Sequence, residues 1–337
     1  MPVPTAKTVS VGPDIDLSVH DTGGDGPAVV LCHGFPDLAR TWEHQLDALS
    51  RAGYRAIAPD MRGYGGSSAP EGIEAYGLTA LAGDLAGLLD GLGIERAVFV
   101  GHDWGGFVSW SMPVLHPDRV LGSVGVCTPY QPFPTTDLLR TLVNGDDERM
   151  YMLWFQEPGV AEAVLDGKVE LMYDMVMRGG IDPAEVAELA VVDGAFDMNP
   201  FRRLETIERR GDLIIDEDQM ASYVDTFSRT GFGPGINWYR NIDANVEAAP
   251  DVGRAPLDLP CLMLCAEWDP ALPPSMAADM PERCSDLEMH IIEQAGHFVQ
   301  LEKPEAVSGL LVDWLTRRFG AQPKVPDSRS WATRPSS

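Results

Sequence analysis

The chain has 337 residues, 45% of them hydrophobic, and can bury the core of one large domain or of two modest ones. Its net charge of −26 and its sequence pI near 4.4 argue against nucleic acid or an anionic membrane surface as a partner. No apolar run approaches the roughly 18 residues of a membrane span, and no secretory leader pattern opens the chain, so we expect a cytoplasmic protein without membrane insertion.

The cysteines and histidines give no sign of a metal site or a disulfide framework. The chain has five cysteines, an odd number without framework spacing, which predicts reduced thiols that pack as small buried hydrophobes. No cluster of His, Cys and carboxylate residues has metal-ligand spacing in the sequence. We therefore expect no metal and no cofactor.

The first 127 residues alternate between strand and helix patterns. A β-hairpin is predicted over residues 8–21, with its turn at Gly12-Pro13-Asp14. Short apolar runs predict strands at residues 28–32, 54–58, 96–100 and 120–127. Helical spacing occupies residues 41–52 and 78–92 between them. This alternation predicts an α/β fold with a mostly parallel sheet that is covered by helices on both faces.

The pattern changes after Pro129. Residues 128–241 contain helix-like segments at 161–176, 183–191 and 219–230 but no convincing buried strand, and we call them the lid. Strands at 259–264 and 289–292 and a helix at 304–318 then resume the first pattern. The predicted division is a core in two parts, residues 1–127 and 242–319, with the lid inserted between them and a disordered tail at 320–337.

The segment Gly101-His102-Asp103-Trp104-Gly105-Gly106 carries the most chemical information. A strand, a tight turn and a helix with small residues around the turn form a nucleophile elbow. Small residues are needed there because the turn strains φ and the helix packs close to the strand. The residue at the tip is Asp103, and a carboxylate nucleophile attacks sp³ carbon and leaves an ester on the enzyme. The alternative is an Asp that only caps the following helix.

Four motifs together resemble one family. They are His33-Gly34-Phe35-Pro36, the elbow at residues 101–106, Trp154-Phe155-Gln156-Glu157-Pro158-Gly159 and Asn237-Trp238-Tyr239-Arg240-Asn241. They are similar to those of the epoxide hydrolases of the α/β-hydrolase fold, most closely the soluble type, over residues 9–319 and without a further N-terminal domain. The resemblance implies an enzyme that adds water to a small lipophilic epoxide and releases a vicinal diol. The sequence leaves both a monomer and a homodimer open.

The resemblance also implies the catalytic residues. Asp103 would be the nucleophile, and Tyr151 and Tyr239 would protonate the alkoxide, for which a phenol with a pKa of about 10 is a suitable donor. His297 would activate the water that hydrolyses the ester, because the pKa of histidine lies near neutrality. Asp269 would orient the His297 ring; Glu267 is a close competitor, and the family match places the acid at 269. The chain order of nucleophile, acid and histidine is that of the fold.

Further positions concern the oxyanion and the substrate. The backbone N–H groups of Phe35 and Trp104 would stabilise the oxyanion that forms on hydrolysis of the ester. A cis peptide bond is expected between Phe35 and Pro36. We expect Trp154, Trp238 and Phe298 to contact the substrate.

Two other functions compete with this interpretation. A haloalkane dehalogenase would use the same Asp103, and Trp104 with Trp154 or Trp238 would donate N–H groups to the halide. Tyrosines at both lid motifs disfavour it. A non-catalytic binding protein could retain the fold, because fold does not determine function. It is disfavoured because every catalytic position holds a competent residue.

Overall fold

The computed structural model describes residues 4–320. The strands are β1 (Lys7–Gly12), β2 (Ile15–Asp21), β3 (Ala28–Cys32), β4 (Arg55–Pro59), β5 (Ala97–His102), β6 (Val120–Val126), β7 (Arg178–Gly179), β8 (Val191–Val192), β9 (Ala195–Phe196), β10 (Asp212–Leu213), β11 (Leu257–Ala266) and β12 (Cys284–Ile292). The α-helices are α1 (Glu43–Arg51), α2 (Leu78–Gly91), α3 (Trp104–Leu115), α4 (Thr136–Leu142), α5 (Tyr151–Trp154), α6 (Val160–Leu165), α7 (Val169–Val176), α8 (Pro183–Leu189), α9 (Glu217–Thr230), α10 (Gly233–Arg240), α11 (Ile242–Ala248), α12 (Val299–Glu302) and α13 (Pro304–Phe319).

Eight strands form the main sheet, in the order β1-β2-β4-β3-β5-β6-β11-β12. β1 and β2 form the predicted antiparallel hairpin, and β2 is also antiparallel to β4. Every other pair in this sheet is parallel. The carboxyl ends of these parallel strands therefore meet at one edge, where α/β folds place their sites.

Alternate side chains of the central strands enter two separate apolar cores, as expected for strands that are buried on both faces. On β3, Val29 and Leu31 join a cluster with Trp42 of the segment before α1 and Trp314 of α13. Val30 and Cys32 face the opposite cluster, which contains residues of α2 and α3. Helices thus cover both faces of the sheet, which confirms the predicted class of fold.

The lid residues contain α4 to α10 and four strands of two residues each, β7 to β10. The lid is bonded to loops at the carboxyl ends of the core strands. Tyr173 of α7 donates to the carbonyl of Pro36 (2.9 Å), and Trp238 of α10 donates to the carbonyl of Arg62 (3.2 Å). These bonds place the lid over the edge where the catalytic residues are expected.

Some predicted elements differ from the observed ones, and one lies almost wholly outside the described residues. The predicted helix over residues 161–176 is two helices, α6 and α7. Asp166, which lies between them, accepts the N–H of Phe232 (2.9 Å). The second strand of the later core is longer than expected and runs over Cys284–Ile292. Of the predicted tail, only Gly320 falls within the described residues.

All five cysteines are free and buried, as expected. No helix within residues 4–320 is both long and apolar enough to cross a bilayer. The division of the chain at residues 127, 241 and 319 stays a prediction.

Candidate active site

Asp103 stands at the tip of a strained turn between β5 and α3. Its φ is +52°, which is costly for a residue with a side chain, and its carboxylate makes no capping bond to the helix that follows. A Cβ at position 105 would collide with the carbonyl of Cys32, so only glycine allows α3 to approach the sheet this closely. The side chain is thus turned away from the capping role and is presented at the carboxyl edge of the sheet.

The carboxylate of Asp103 has a hydrogen-bond donor on one side and an imidazole on the other. The N–H of Phe35 donates to Oδ1 (2.7 Å), and Oδ2 lies 3.7 Å from Nε2 of His297. A side chain at position 34 would collide with this carboxylate, which explains the glycine before Phe35. The predicted cis bond between Phe35 and Pro36 is present.

His297 and Asp269 lie together although 28 positions separate them, because each follows one of the last two strands of the sheet. Nδ1 of His297 is 2.8 Å from Oδ2 of Asp269, and the other oxygen of Asp269 accepts the N–H groups of Ala271 (2.8 Å) and Leu272 (2.9 Å). Glu267 instead accepts the N–H of Gln294 (2.9 Å). Position 269 therefore holds the acid that contacts the imidazole.

The charges of this group shift its pKa values strongly. Burial favours the neutral form, but the charge of Asp269, the nearby carboxylate of Asp103 and the hydrogen bond to Asp269 raise the pKa of His297 to about 10. Burial would also raise the pKa of Asp269, but the charge of His297 and the bonds from His297, Leu272 and Ala271 lower it to about 2. The raised pKa means that the imidazole of His297 is protonated at neutral pH.

Tyr151 and Tyr239 come together from the two ends of the lid. Their ring centroids are 5.6 Å apart, and Tyr239 packs edge-on against Phe35 (5.3 Å) and Trp104 (5.1 Å), two neighbours of Asp103. Burial first, with the negative charge of Asp103 among the further causes, raises the pKa of both phenols. Both therefore keep their protons at neutral pH and can donate them.

The two lid motifs are bonded to each other, which holds the tyrosines in place. Nε2 of Gln156 donates to the carbonyl of Tyr239 (3.0 Å), and Nε of Arg240 donates to the carbonyl of Phe155 (2.8 Å). Arg240 also forms an ion pair with Glu162 (2.7 Å). Gln156 and Arg240, each directly after an aromatic residue of its own motif, therefore bond the two motifs to each other.

The remaining predicted site residues occupy different surroundings. Trp104 is the first residue of α3, where N–H groups have no acceptor within the helix. Phe298 packs against the ring of His297 (5.1 Å), and Trp154 is half-buried beside Phe155 (5.7 Å). Trp238 is fully buried and its N–H is bonded to the core, so that group is not available to a halide. Contact of the three residues with substrate stays a prediction.

Several aromatic residues that pack around Tyr151, Tyr239 and Trp104 were not predicted from the sequence to belong to the site. Phe201 packs against Tyr151 (5.4 Å), Phe155 against Tyr239 (5.1 Å), and Phe133 against Trp104 (5.8 Å). The aromatic rings thus come from segments that are distant in the chain. Only Phe155 lay in a recognisable motif.

His102 also has a role that the sequence did not indicate. Burial, and then the charge of His297, lower the pKa of His102 to about 4, so its ring is neutral. Its Nε2 donates to the carbonyl of His297 (2.7 Å), while Nδ1 accepts from Nε2 of Gln300 (3.3 Å). His102 therefore holds the backbone carbonyl of His297 by a hydrogen bond.

Within residues 4–320, one group of side chains is compact enough to hold a metal ion. The ligand atoms of His102, Cys127 and His297 lie within 4.8 Å of one another. However, the Cys127 thiol donates to the carbonyl of His297 (3.3 Å), as His102 does, and the ring nitrogens of His297 face the carboxylates of Asp103 and Asp269. Each of these possible ligand groups already has a partner within the protein. The arrangement is therefore better explained by hydrogen bonds that hold His297 in place than by a metal site.

Comparison with known proteins gives consistent relatives. A family model described as alpha/beta hydrolase fold matches residues 27–157 and 214–304. The chain is 40% identical to epoxide hydrolase A of Mycobacterium tuberculosis over 94% of its own length and 98% of that protein. It is 37% identical to bifunctional epoxide hydrolase 2 of Mus musculus and spans about half of that relative (54%).

Solved structures agree with these relatives. The crystal structure of epoxide hydrolase A from Mycobacterium thermoresistibile matches with a TM-score of 0.83 and 39% identity, over 93% of this chain and 98% of that chain. An epoxide hydrolase from an endophytic Streptomyces matches with a TM-score of 0.81 and 32% identity, over 92% of this chain and 95% of that chain.

Proposed function

The chain belongs to the epoxide hydrolases of the α/β-hydrolase fold, and on that premise we propose that it converts an epoxide and water into a vicinal diol through a covalent ester on Asp103. One observation carries the proposal. The carboxylate at the tip of the elbow touches the N–H of Phe35 and lies 3.7 Å from the imidazole of His297. A carboxylate in this position can attack an epoxide carbon and is next to the group that activates water.

Ring opening is the first step. An oxygen of Asp103 bonds to one epoxide carbon, the C–O bond breaks, and the alkoxide takes a proton from Tyr151 or Tyr239. The raised pKa of both phenols keeps that proton in place until the alkoxide, a much stronger base, develops. Two phenols directed at one oxygen would also polarise the C–O bond before attack.

Ester formation would convert His297 from an acid into a base. In the free enzyme the charge of Asp103 helps to raise the pKa of His297 to about 10. The ester is neutral, so this contribution is lost when the intermediate forms and the imidazole can release its proton. That proton restores, through solvent, the phenol that was deprotonated in ring opening. The neutral ring, oriented by Asp269, then takes a proton from the water that attacks the ester carbonyl.

Hydrolysis of the ester produces an oxyanion on the side chain of residue 103. The N–H of Phe35 already donates to Oδ1 in the free enzyme (2.7 Å), and the N–H of Trp104 would be the second donor. One such donor contributes about 2.7–4 kcal/mol in the transition state. In the collapse of the tetrahedral intermediate, the C–O bond to the substrate breaks and the leaving oxygen takes the proton from His297, which frees the diol. The carboxyl group left on residue 103 then gives its proton back to the imidazole, which restores the starting carboxylate.

The substrate we propose is a small, neutral and lipophilic epoxide. The tyrosines are surrounded by phenylalanine and tryptophan rings, and burial raises the pKa of Tyr239. A net charge of −26 would also repel an anionic substrate. A cytoplasmic location and a monomer or homodimer complete the proposal.

The products formed from two substrates test this function. The protein would be incubated with styrene oxide and, separately, with 1-bromobutane, and the diol and free bromide would be measured. Diol without bromide is expected. Release of bromide would favour a dehalogenase, and absence of both products would leave a binding protein. The matched control, Asp103→Ala, should form neither product.

A further inference from the structure

A carboxylate outside the catalytic group bonds to both the lid and the loop of His297. Glu302 is the last residue of α12, five positions after His297. Its Oε2 accepts the N–H of Gly296 (2.7 Å), and its Oε1 accepts the N–H of Gly180 in the lid (2.8 Å). Hydrogen bonds to an ionised carboxylate are among the stronger ones in proteins.

The lid backbone is shaped to receive this carboxylate. A Cβ at position 179 would lie 2.6 Å from Cδ of Glu302, so only glycine permits the observed approach. Gly180 has a φ of +70°, a conformation that glycine adopts without strain and that directs its N–H at Glu302. Two adjacent glycines of the lid therefore leave space for the Glu302 side chain and supply it with a hydrogen-bond donor.

Each residue of the loop that carries His297 makes at least one hydrogen bond. Glu267 accepts the N–H of Gln294 (2.9 Å), and the carbonyl of Ala295 accepts the N–H of Trp268 (2.9 Å). His102 donates to the carbonyl of His297 (2.7 Å). These three bonds stay within the core, whereas the fourth, from Gly296 to Glu302, shares its acceptor group with the lid.

The lid segment at the other end of this contact is itself well connected. Gly179 belongs to β7, which pairs with β10, and the N–H of Ile214 donates to the carbonyl of Met177 just before β7 (3.1 Å). α7, which precedes β7, is bonded to the core through Tyr173. A displacement of this part of the lid would therefore move or release the carboxylate of Glu302.

We infer that Glu302 is a positioning residue that couples Gly179 and Gly180 of the lid to the alignment of His297. The inference rests on the proposed function. Ring opening needs Asp103 and the tyrosines, whereas ester hydrolysis also needs the imidazole in line with the ester carbonyl. Because a small misalignment can cost up to about a hundredfold in rate, loss of Glu302 should slow the second step selectively.

Single-turnover kinetics separate the two steps. With styrene oxide and quenched-flow mass spectrometry, Glu302→Ala should form the ester within about twofold of the wild-type rate. It should hydrolyse the ester about tenfold or more slowly, so that ester-bearing protein accumulates at steady state. Glu302→Gln retains one acceptor oxygen, and its rate of ester hydrolysis should lie between those of the wild-type protein and Glu302→Ala. The matched control is Glu305→Ala, an exposed acidic residue of α13.

Amide hydrogen exchange tests the coupling to the lid. In Glu302→Ala, exchange should accelerate both at residues 178–181 and at residues 294–298. Gly179→Ala, which adds a methyl group against the carboxylate, should accelerate exchange at 294–298 although it changes only the lid. The wild-type protein serves as the test of function: if it forms no ester, the proposed function fails rather than this inference.

Two results would overturn the role of Glu302. One is a folded Glu302→Gln or Glu302→Ala protein in which ester hydrolysis keeps the wild-type rate. The other is an equal fall in both steps, which indicates general destabilisation and not misalignment of His297.

Discussion

Replacing Asp103 by Asn should lower the pKa of His297 by about three, from about 10 into the neutral range. The amide is isosteric with the carboxylate and keeps an oxygen for the N–H of Phe35. The change removes the negative charge and the acceptor oxygen that face Nε2 of His297, and both losses lower the pKa of the ring. Unit charges 3.7 Å apart attract by about 4 kcal/mol at an effective dielectric constant of 20. Since one pKa unit equals about 1.4 kcal/mol, this attraction accounts for the size of the fall.

The substitution also imitates the ester intermediate, in which residue 103 is neutral. Titration of ring carbon and proton resonances by NMR in histidine-labelled protein would follow all seven histidines. The spectrum of a His297→Gln variant assigns the resonance of interest. In Asp103→Asn, that resonance should titrate near neutral pH, whereas in the wild-type protein it should stay in the protonated form until the pH approaches 10.

Glu267→Gln is the matched control. It removes one negative charge from the same edge of the sheet, but Glu267 bonds to the N–H of Gln294 and not to the ring. A titration of His297 in Asp103→Asn within about half a pKa unit of the wild-type value would refute the reasoning. The charge on Asp103 would then not be what keeps the ring protonated.

The other predictions concern the acid residues, the base and the core. His297→Gln should still open the epoxide but not hydrolyse the ester, which mass spectrometry would detect as protein heavier by one epoxide. A normal turnover rate would show that His297 is not the base. Changing Tyr151 and Tyr239 together to Phe should slow ester formation by roughly 10²–10⁴, and an unchanged rate would remove them from the mechanism. Arg62→Met should lower the free energy of unfolding, measured in urea, by about 3–5 kcal/mol, because Asp84 stays buried without its partner. The double variant with Asp84→Leu should recover most of that loss, and no recovery would refute the pairing argument.

Much of the fold could be predicted because its signals are local. Residues 28–32 are apolar on both sides of the strand, and each side faces its own layer of helices. The elbow around Asp103 was visible because glycine is required where α3 passes close to β3. The resemblance supplied His297 and Asp269, and they lie together because the two strands before them end at one edge of the sheet. The tyrosines came from the resemblance and not from any local pattern.

What could not be predicted depends on partners that are far away in the chain. The bond between His102 and the carbonyl of His297 joins residues 195 positions apart, and no periodic pattern in the sequence predicts it. The break between α6 and α7 depends on a bond from Asp166 to the N–H of Phe232, and helical spacing continues through it. Glu302 lay in an unremarkable sequence, and only the folded chain brings the lid glycines to its side chain.

The covalent role of Asp103 is tested most directly by a single turnover in water labelled with ¹⁸O, with protein in excess over epoxide. The diol and the peptide that contains residue 103 would then be analysed by mass spectrometry. The label should enter the carboxylate of Asp103, and the first diol released should contain no label, because its new oxygen comes from the enzyme. Label in that diol, with Asp103 unlabelled, would mean that water attacks the epoxide directly.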